Sequence, residues 1–219
     1  MPAQRSARRF LAILLTLLPA AAPLVAQSPS TRLSRCGVVR AQAVVDSVFL
    51  DRTAGAGTIM GGDWASYLMA RLGAPLPDTT AIGVQVDSEH ITMSGRIKDL
   101  PPEARATLGM LAALADSNTM LNADVVLLPA NKGLAHFQLR SVSIGPYPVP
   151  EVMLRSMLLD VGERYPALTR TGRDLYVQIP TDGRVTLVSG AVRLEAPRRE
   201  GSTDSPPPAA KAEPCRVNP

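Results

Sequence analysis

The sequence predicts an α+β fold: a curved, largely antiparallel sheet of about six strands with three helices, in a repeated helix–strand–strand order. Three observations support this class. Stretches of alternating apolar and polar residues occur in pairs, a short turn-forming linker joins the two members of each pair, and a helical stretch precedes each pair. Because hairpin linkers join neighbouring strands, the sheet should be antiparallel, with the helices on one face or at one end.

Two helical stretches come first along the chain. Over residues 41–50, apolar side chains recur every three or four positions, which is the spacing of an amphipathic helix, although the valine content also suits a strand. The glycine-rich residues 55–62 are interpreted as a linker. Asp63 is then placed to cap a helix that runs to Leu72 and is closed by Gly73.

The middle of the chain predicts two hairpins with a helix between them. Alternation gives strands over 82–86 and 91–97, joined by a turn with the sequence DSEH. The proline pair 101–102 fits the first turn of a second helix. Two further strands are expected over 119–128 and 134–144.

The last unit consists of a helix that begins near Pro150 and strands over 174–179 and 185–194, with Asp182–Gly183 as the turn signal between them. In strands 134–144 and 185–194 the alternation shifts by one residue partway, which predicts a β-bulge and a bend in each. Long bent strands indicate a curved sheet whose concave face must be filled.

The first 26 residues have the order of a secretory signal peptide. An arginine-rich head precedes the apolar run 10–18, and small residues lead to Ala26. The whole apolar stretch from Phe10 to Val25 contains Pro19 and Pro23 and is shorter than the roughly 20 residues that a membrane-spanning helix needs. We therefore expect a secreted or periplasmic protein that begins at Gln27. An uncleaved N-terminal membrane anchor is the alternative.

Composition divides the rest of the chain. After the signal peptide 1–26 we expect an N-terminal segment and linker over 27–59, one α+β domain over 60–195, and a disordered, proline-rich tail over 196–219. The chain holds 23 Lys and Arg against 19 Asp and Glu, and three of the arginines lie in the signal peptide, so the mature charge is close to neutral. With few, scattered aromatic residues, this balance excludes a typical nucleic-acid binder.

Residues that could carry chemistry are few. His90 lies in a predicted turn and His136 on the polar side of a strand, with no second histidine at metal-ligand spacing and no G-x-S-x-G motif. We therefore expect no enzyme activity, no metal and no cofactor. Cys36 and Cys215 flank the predicted domain; an oxidising compartment permits a disulfide between them, and two free or intermolecular thiols are the alternative.

Two apolar features exceed what a small core needs. Residues 108–115 contain no charged side chain, and seven of the eight methionines lie in the predicted domain. Methionine fills irregular space, including apolar ligand sites, although ordinary core is the simpler interpretation. The candidate ligand-groove residues are Met110, Leu111, Leu114, Met153, Leu154, Met157 and Leu158.

The most distinctive stretch is VSIGPYPVPEVML, residues 142–154, in which a strand ends at a glycine, a proline-rich corner follows and an amphipathic helix begins. This stretch resembles the strand–G-x-x-P-x-P–helix segment of YpmS-like bacterial envelope proteins and, beyond them, TULIP-like lipid-binding domains. The resemblance implies a long curved sheet wrapped around a helix, an apolar groove for a lipid or another amphiphile, and contact with a membrane. An envelope structural module that binds a protein partner, with no small-molecule ligand, is the alternative.

Overall fold

The computed structural model describes residues 31–74, 76, 79–100, 102–109, 115–165, 168–169 and 171–199. Within these ranges the chain forms an α+β fold with an open antiparallel sheet, so the predicted fold class is confirmed. The helices are α1 (Arg35–Val45), which continues as a π-helical turn (Asp46–Leu50), α2 (Gly61–Arg71), α3 (Pro102–Leu108) and α4 (Glu151–Arg164). The strands are β1 (Arg32–Ser34), β2 (Ala56–Met60), β3 (Thr79–Val86), β4 (His90–Arg96), β5 (Met120–Leu128), β6 (Leu134–Ile144), β7 (Tyr147–Pro148), β8 (Asp174–Gln178), β9 (Arg184–Val188) and β10 (Ala191–Glu195).

These strands form two sheets, and every pairing is antiparallel. The large sheet has the order β1-β3-β4-β5-β6, and both β7 and β8 pair with the free edge of β6. The small sheet has the order β2-β10-β9. Helices α1 and α2 share one core with both sheets, while α4 covers a second apolar cluster at the far end of β5 and β6.

The bulge predicted in β6 is confirmed. Asp124 pairs with Ser141 and Val125 pairs with Leu139, so Arg140 is an extra residue without a partner on β5. Because of this extra residue, the apolar side chains after the bulge lie on the same face of the sheet as those before it. As a result Phe137, before it, and Val142, after it, are both buried.

The interpretation of residues 185–194 as one bent strand is wrong. They form the hairpin β9–β10, with Ala191 paired to Val188 across a turn at Ser189 and Gly190. Gly190 has φ +78°, a left-handed conformation that glycine adopts without strain. The expected hairpin across Asp182–Gly183 does not form either, because that turn joins β8 in the large sheet to β9 in the small one.

From residue 31 onward, the predicted N-terminal linker is part of the core. Leu33, Ala41, Val48 and Ile59 are all buried, and β2 pairs with β10 along its whole length. Glycine occurs in β2 because a Cβ at Gly57 would overlap the side chains that α1 and its π-helical turn place there. The glycines in this stretch thus permit close packing, which a composition pattern does not distinguish from a flexible linker.

Asp63 lies inside the first turn of α2 and does not cap it, because the helix begins two residues earlier, at Gly61. Its carboxylate is buried and accepts hydrogen bonds from Arg40 Nε at 2.8 Å and Arg40 Nη2 at 2.6 Å. One helical turn on, the buried Ser66 hydroxyl accepts a hydrogen bond from the backbone N–H of Ser34 at 2.9 Å. These bonds hold α2 against α1 and the end of β1, so the opposite side of α2 is free to line another space.

The last described residues pack against the N-terminal part of the chain. Ala196 is buried and its N–H donates to Gly55 O at 3.1 Å, and the N–H of Arg199 donates to Arg52 O at 3.1 Å. The tail boundary predicted at residue 196 is therefore too early. The predicted signal peptide and the rest of the predicted tail lie outside the described residues. None of the helices formed by the described residues has the length and apolar character to cross a membrane.

Candidate ligand-binding cleft

A partly open cleft of about 230 Å³ lies between α2 and α4, on the face of the large sheet that both helices cover. Its floor comes from β4, β5, β6 and β8. The lining is apolar apart from one arginine at the β8 end. The lining residues are Trp64, Ala65, Leu68, Met69, Leu72, Ile91, Met93, Val125, Phe137, Leu139, Leu158, Val161, Leu168, Gly172, Arg173 and Leu175.

Helix α2 forms one wall of the cleft. Trp64, Leu68 and Leu72 are four residues apart and therefore follow one side of the helix, and Ala65 and Met69 widen this stripe. All five side chains line the cleft. None of them was among the groove residues that the sequence predicts, although their helical spacing is visible in the sequence.

Aromatic rings join α2 to the floor of the cleft. The ring of Trp64 lies 5.9 Å from that of Phe137 on β6 and stacks on Tyr67 at 5.6 Å. Trp64 is 1% exposed, and its indole Nε1 is buried without a hydrogen-bond partner among the described residues. A buried unpaired donor costs about 1–3 kcal/mol. The buried indole N–H is thus a local cost that the packing of the aromatic rings around Trp64 must offset.

Helix α4 forms the opposite wall of the cleft, and a close backbone contact holds it against the residues that precede β8. Gly172, which precedes β8, has φ +64° and lies against the main-chain carbonyl of Leu158 in α4. A side chain at this position would overlap that carbonyl. The contact sets how near α4 comes to the β8 edge and so sets the width of the cleft.

The charged end of the cleft is formed by Arg173, which reaches from the β8 side to the first turn of α4. Its Nη2 donates to Glu151 Oε2 at 2.8 Å. This hydrogen bond is the main reason that the pKa of Glu151 lies below its usual value, with the charges of Arg173 and Arg155 acting in the same direction. The pair joins α4 to β8 at the surface.

The predicted groove residues on α4 divide into three groups. Leu158 lines the cleft and is 8% exposed. Leu154 is buried beside it, in the apolar cluster with Val142 on β6. Met157 is half-buried and Met153 is 41% exposed, and neither lines the cleft, so a groove role for them stays a prediction. Met110, Leu111 and Leu114 lie outside the described residues.

Both histidines pair with aspartates on the sheet face opposite the cleft. His90 Nδ1 lies 2.9 Å from Asp124 Oδ1, and this hydrogen bond raises the pKa of His90. His136 Nε2 lies 2.8 Å from Asp174 Oδ1, and its ring stacks on Tyr176 at 4.3 Å.

Burial alone would raise the pKa of Asp174, but hydrogen bonds from Gln138 and His136 outweigh it and the pKa is lowered. These two pairs stabilise neighbouring strands. Within the described ranges, no three His, Cys, Asp or Glu side chains come together as a metal site would require.

Two other hollows are formed by the described residues. One, of about 790 Å³, is an open space between the β5–β6 turn and the β8–β9 turn, and polar residues such as Asn131, Lys132 and Asp182 line it together with apolar ones. The second, about 410 Å³, lies at the proline-rich corner between β6 and α4. Binding sites for small apolar groups are concave and mostly apolar. The cleft between α2 and α4 fits that description, because two helices and the sheet surround it and its lining is apolar apart from Arg173.

Cys36 lies in the first turn of α1 and is disulfide-bonded. Cys215, the partner that the sequence predicts, lies outside the described residues, so the pairing stays a prediction. No family model, curated protein or solved structure matches the chain.

Proposed function

We propose that this protein is an extracytoplasmic, non-enzymatic module that binds the hydrocarbon part of a lipid or another amphiphile in the cleft between α2 and α4. The observation that carries the proposal is the cleft itself, about 230 Å³ of space with apolar walls on both helices and on the sheet. Apolar surface left in water costs about 25 cal/mol per Å². A hydrocarbon occupant would recover that cost, whereas a polar occupant would not.

The size of the cleft favours a single chain. An engineered apolar cavity of roughly 150 Å³ binds benzene, and sites for drug-sized ligands span roughly 300–1,000 Å³. At about 230 Å³ the cleft lies between these limits. It therefore suits part of one acyl chain, and the headgroup and any second chain would remain outside.

The extracytoplasmic setting is supported by two features. The N-terminal residues have the order of a signal peptide, and Cys36 is disulfide-bonded. Disulfides persist in secreted and periplasmic proteins and are rare in the cytosol. In such a compartment a lipid-binding module would meet membrane lipids or free fatty acids as ligands.

Lipid extraction and mass spectrometry of the purified mature protein test the proposal. We expect a single-chain lipid, or one chain of a larger lipid, to copurify with the wild type. Val161→Phe would fill the cleft and should abolish copurification. Val152→Phe makes the same change on α4 at a position that is 82% exposed, and it should retain the lipid. Equal lipid content in the two variants would contradict the assignment of the cleft.

A second candidate function is supported by a different surface. Tyr147 and Val152, at the proline-rich corner, are 74% and 82% exposed, and Leu159 is exposed on the outer side of α4. Clustered exposed apolar residues are typical of protein interaction sites. The envelope interaction module is therefore the alternative proposal. A photocrosslinker at Tyr147 in native membranes should then give one protein adduct, while Val161→Phe should leave that adduct unchanged.

A further inference from the structure

Arg173 is the one charged residue among the described residues that line the cleft. Its guanidinium uses Nη2 to bind Glu151, and the side chains of the pair are 27% and 53% exposed, respectively. An arginine has five N–H donors in a rigid fork that matches a carboxylate. The cleft thus ends at a group built to hold an anion, next to a counter-ion that is open to solvent.

Two arginines act on the carboxylate at this end of the cleft. The positive charges of Arg173 and Arg155 both lower the pKa of Glu151, after the larger effect of the hydrogen bond from Arg173. Glu151 therefore lies near two guanidinium groups, and Arg173 is the one that it binds. The N-terminus of α4, at Glu151, adds the partial positive charge of the helix dipole. An additional anion at this position would therefore be stabilised.

We propose that the ligand of the cleft is a single-chain carboxylate, a fatty acid whose chain lies between α2 and α4 and whose carboxylate binds Arg173. This inference rests on the proposed lipid-binding function. The acid replaces or joins Glu151 as the partner of Arg173. The exchange is favourable because a solvent-exposed ion pair is weak, whereas an arginine–carboxylate contact beside an apolar wall is better shielded from water.

The test compares three ligands with the same chain, dodecanoate, dodecanol and dodecylamine, titrated by calorimetry at pH 8 into the mature full-length protein below the micelle concentration. Dodecanoate should bind about tenfold more tightly than dodecanol, as expected for one charged hydrogen-bonded contact. Dodecylamine should bind more weakly than dodecanol, because its charge has the same sign as Arg173.

Variants assign that preference to one side chain. Arg173→Gln should bring dodecanoate to the affinity of dodecanol and leave dodecanol unchanged, while Arg173→Lys should keep most of the preference. Arg155→Gln removes a charge of the same sign from the exposed face of α4 and should reduce the preference only slightly. Glu151→Gln should strengthen dodecanoate binding, because Arg173 loses its competing partner.

The outcomes separate the two proposals. If dodecanoate and dodecanol bind the wild type equally, the fatty-acid inference is wrong and the hydrocarbon cleft remains. If Arg173→Gln weakens both ligands equally while its melting temperature falls, Arg173 only holds α4 against β8, and the inference is again wrong. If none of the three ligands binds the wild type, the proposed function is wrong as well.

Discussion

Gly172 and Leu158 form the contact that limits the width of the cleft: both line it, and a Cβ at Gly172 would overlap the main-chain carbonyl of Leu158 in α4. Gly172 also has φ +64°. Two independent reasons therefore require glycine at this position, one conformational and one steric. Through this contact a loop residue in front of β8 determines where a helix wall of the proposed binding site lies.

Gly172→Ala should be strongly destabilising and should also displace α4. The left-handed conformation alone costs a residue with a side chain about 1–2 kcal/mol. Gly73→Ala is the matched control, because Gly73 has φ +77° with open space around it. Urea unfolding should show a loss of about 1 kcal/mol for Gly73→Ala and at least about 3 kcal/mol for Gly172→Ala. Equal losses would mean that α4 does not depend on this contact.

Leu154 and Leu158, one helical turn apart on α4, should respond differently to alanine. Leu154 packs in the cluster under α4, so Leu154→Ala should cost about 2–5 kcal/mol, as in other packed cores. Leu158 belongs to the same cluster but also lines the cleft, so Leu158→Ala should reduce stability less than Leu154→Ala and should reduce ligand affinity more. Thermal unfolding and fatty-acid titration of both variants measure this. The opposite pattern would make the cleft an ordinary part of the core.

His90 should make stability depend on pH. Its pKa is raised in the folded protein, chiefly by the hydrogen bond to Asp124. A raised folded pKa contributes stability that is fully present below the unfolded value of about 6.5 and is lost as pH rises through the folded pKa. Urea unfolding between pH 5.5 and 8.5 should show this decline in the wild type. Asp124→Asn should flatten it, and an unchanged profile in that variant would contradict the assignment.

Cys36 and Cys215 should form one intramolecular disulfide in the mature protein. Cys36 is disulfide-bonded, and the chain contains two cysteines. Peptide mapping without reductant should recover both in one linked peptide, which reduction should separate. A monomeric protein with two alkylatable thiols would contradict the pairing, and so would a disulfide-linked dimer.

The sequence predicted those elements whose signal is local. The bounds of β6 and its bulge followed from a change in alternation between Phe137 and Val142, and the bulge places both in the interior. Gly190 produced a similar change of alternation, yet it lies in a hairpin turn. A bulge and a two-residue turn produce the same change of alternation in the sequence. Only the partner strand distinguishes them, because pairing is a long-range property.

Only part of the site could be predicted from the sequence, because the cleft also depends on long-range packing. Leu158, predicted as a groove residue, lines the cleft, whereas Met153 of the same helix is 41% exposed and does not line it. The α2 wall, with Leu68 and Met69, was missed as a site. A cleft arises from the spacing between two helices on a sheet, and neither helix sequence encodes that spacing by itself.

Quenching of Trp64 fluorescence by a brominated fatty acid tests the central claim most directly. Trp64 is the single tryptophan of the chain, lines the cleft and is 1% exposed, so a bromine atom reaches it only from within the cleft. The account predicts saturable quenching by the brominated acid, competition by the unbrominated acid, and loss of quenching in Val161→Phe but not in Val152→Phe. Unquenched Trp64 at saturating ligand, or equal quenching in both variants, would contradict it.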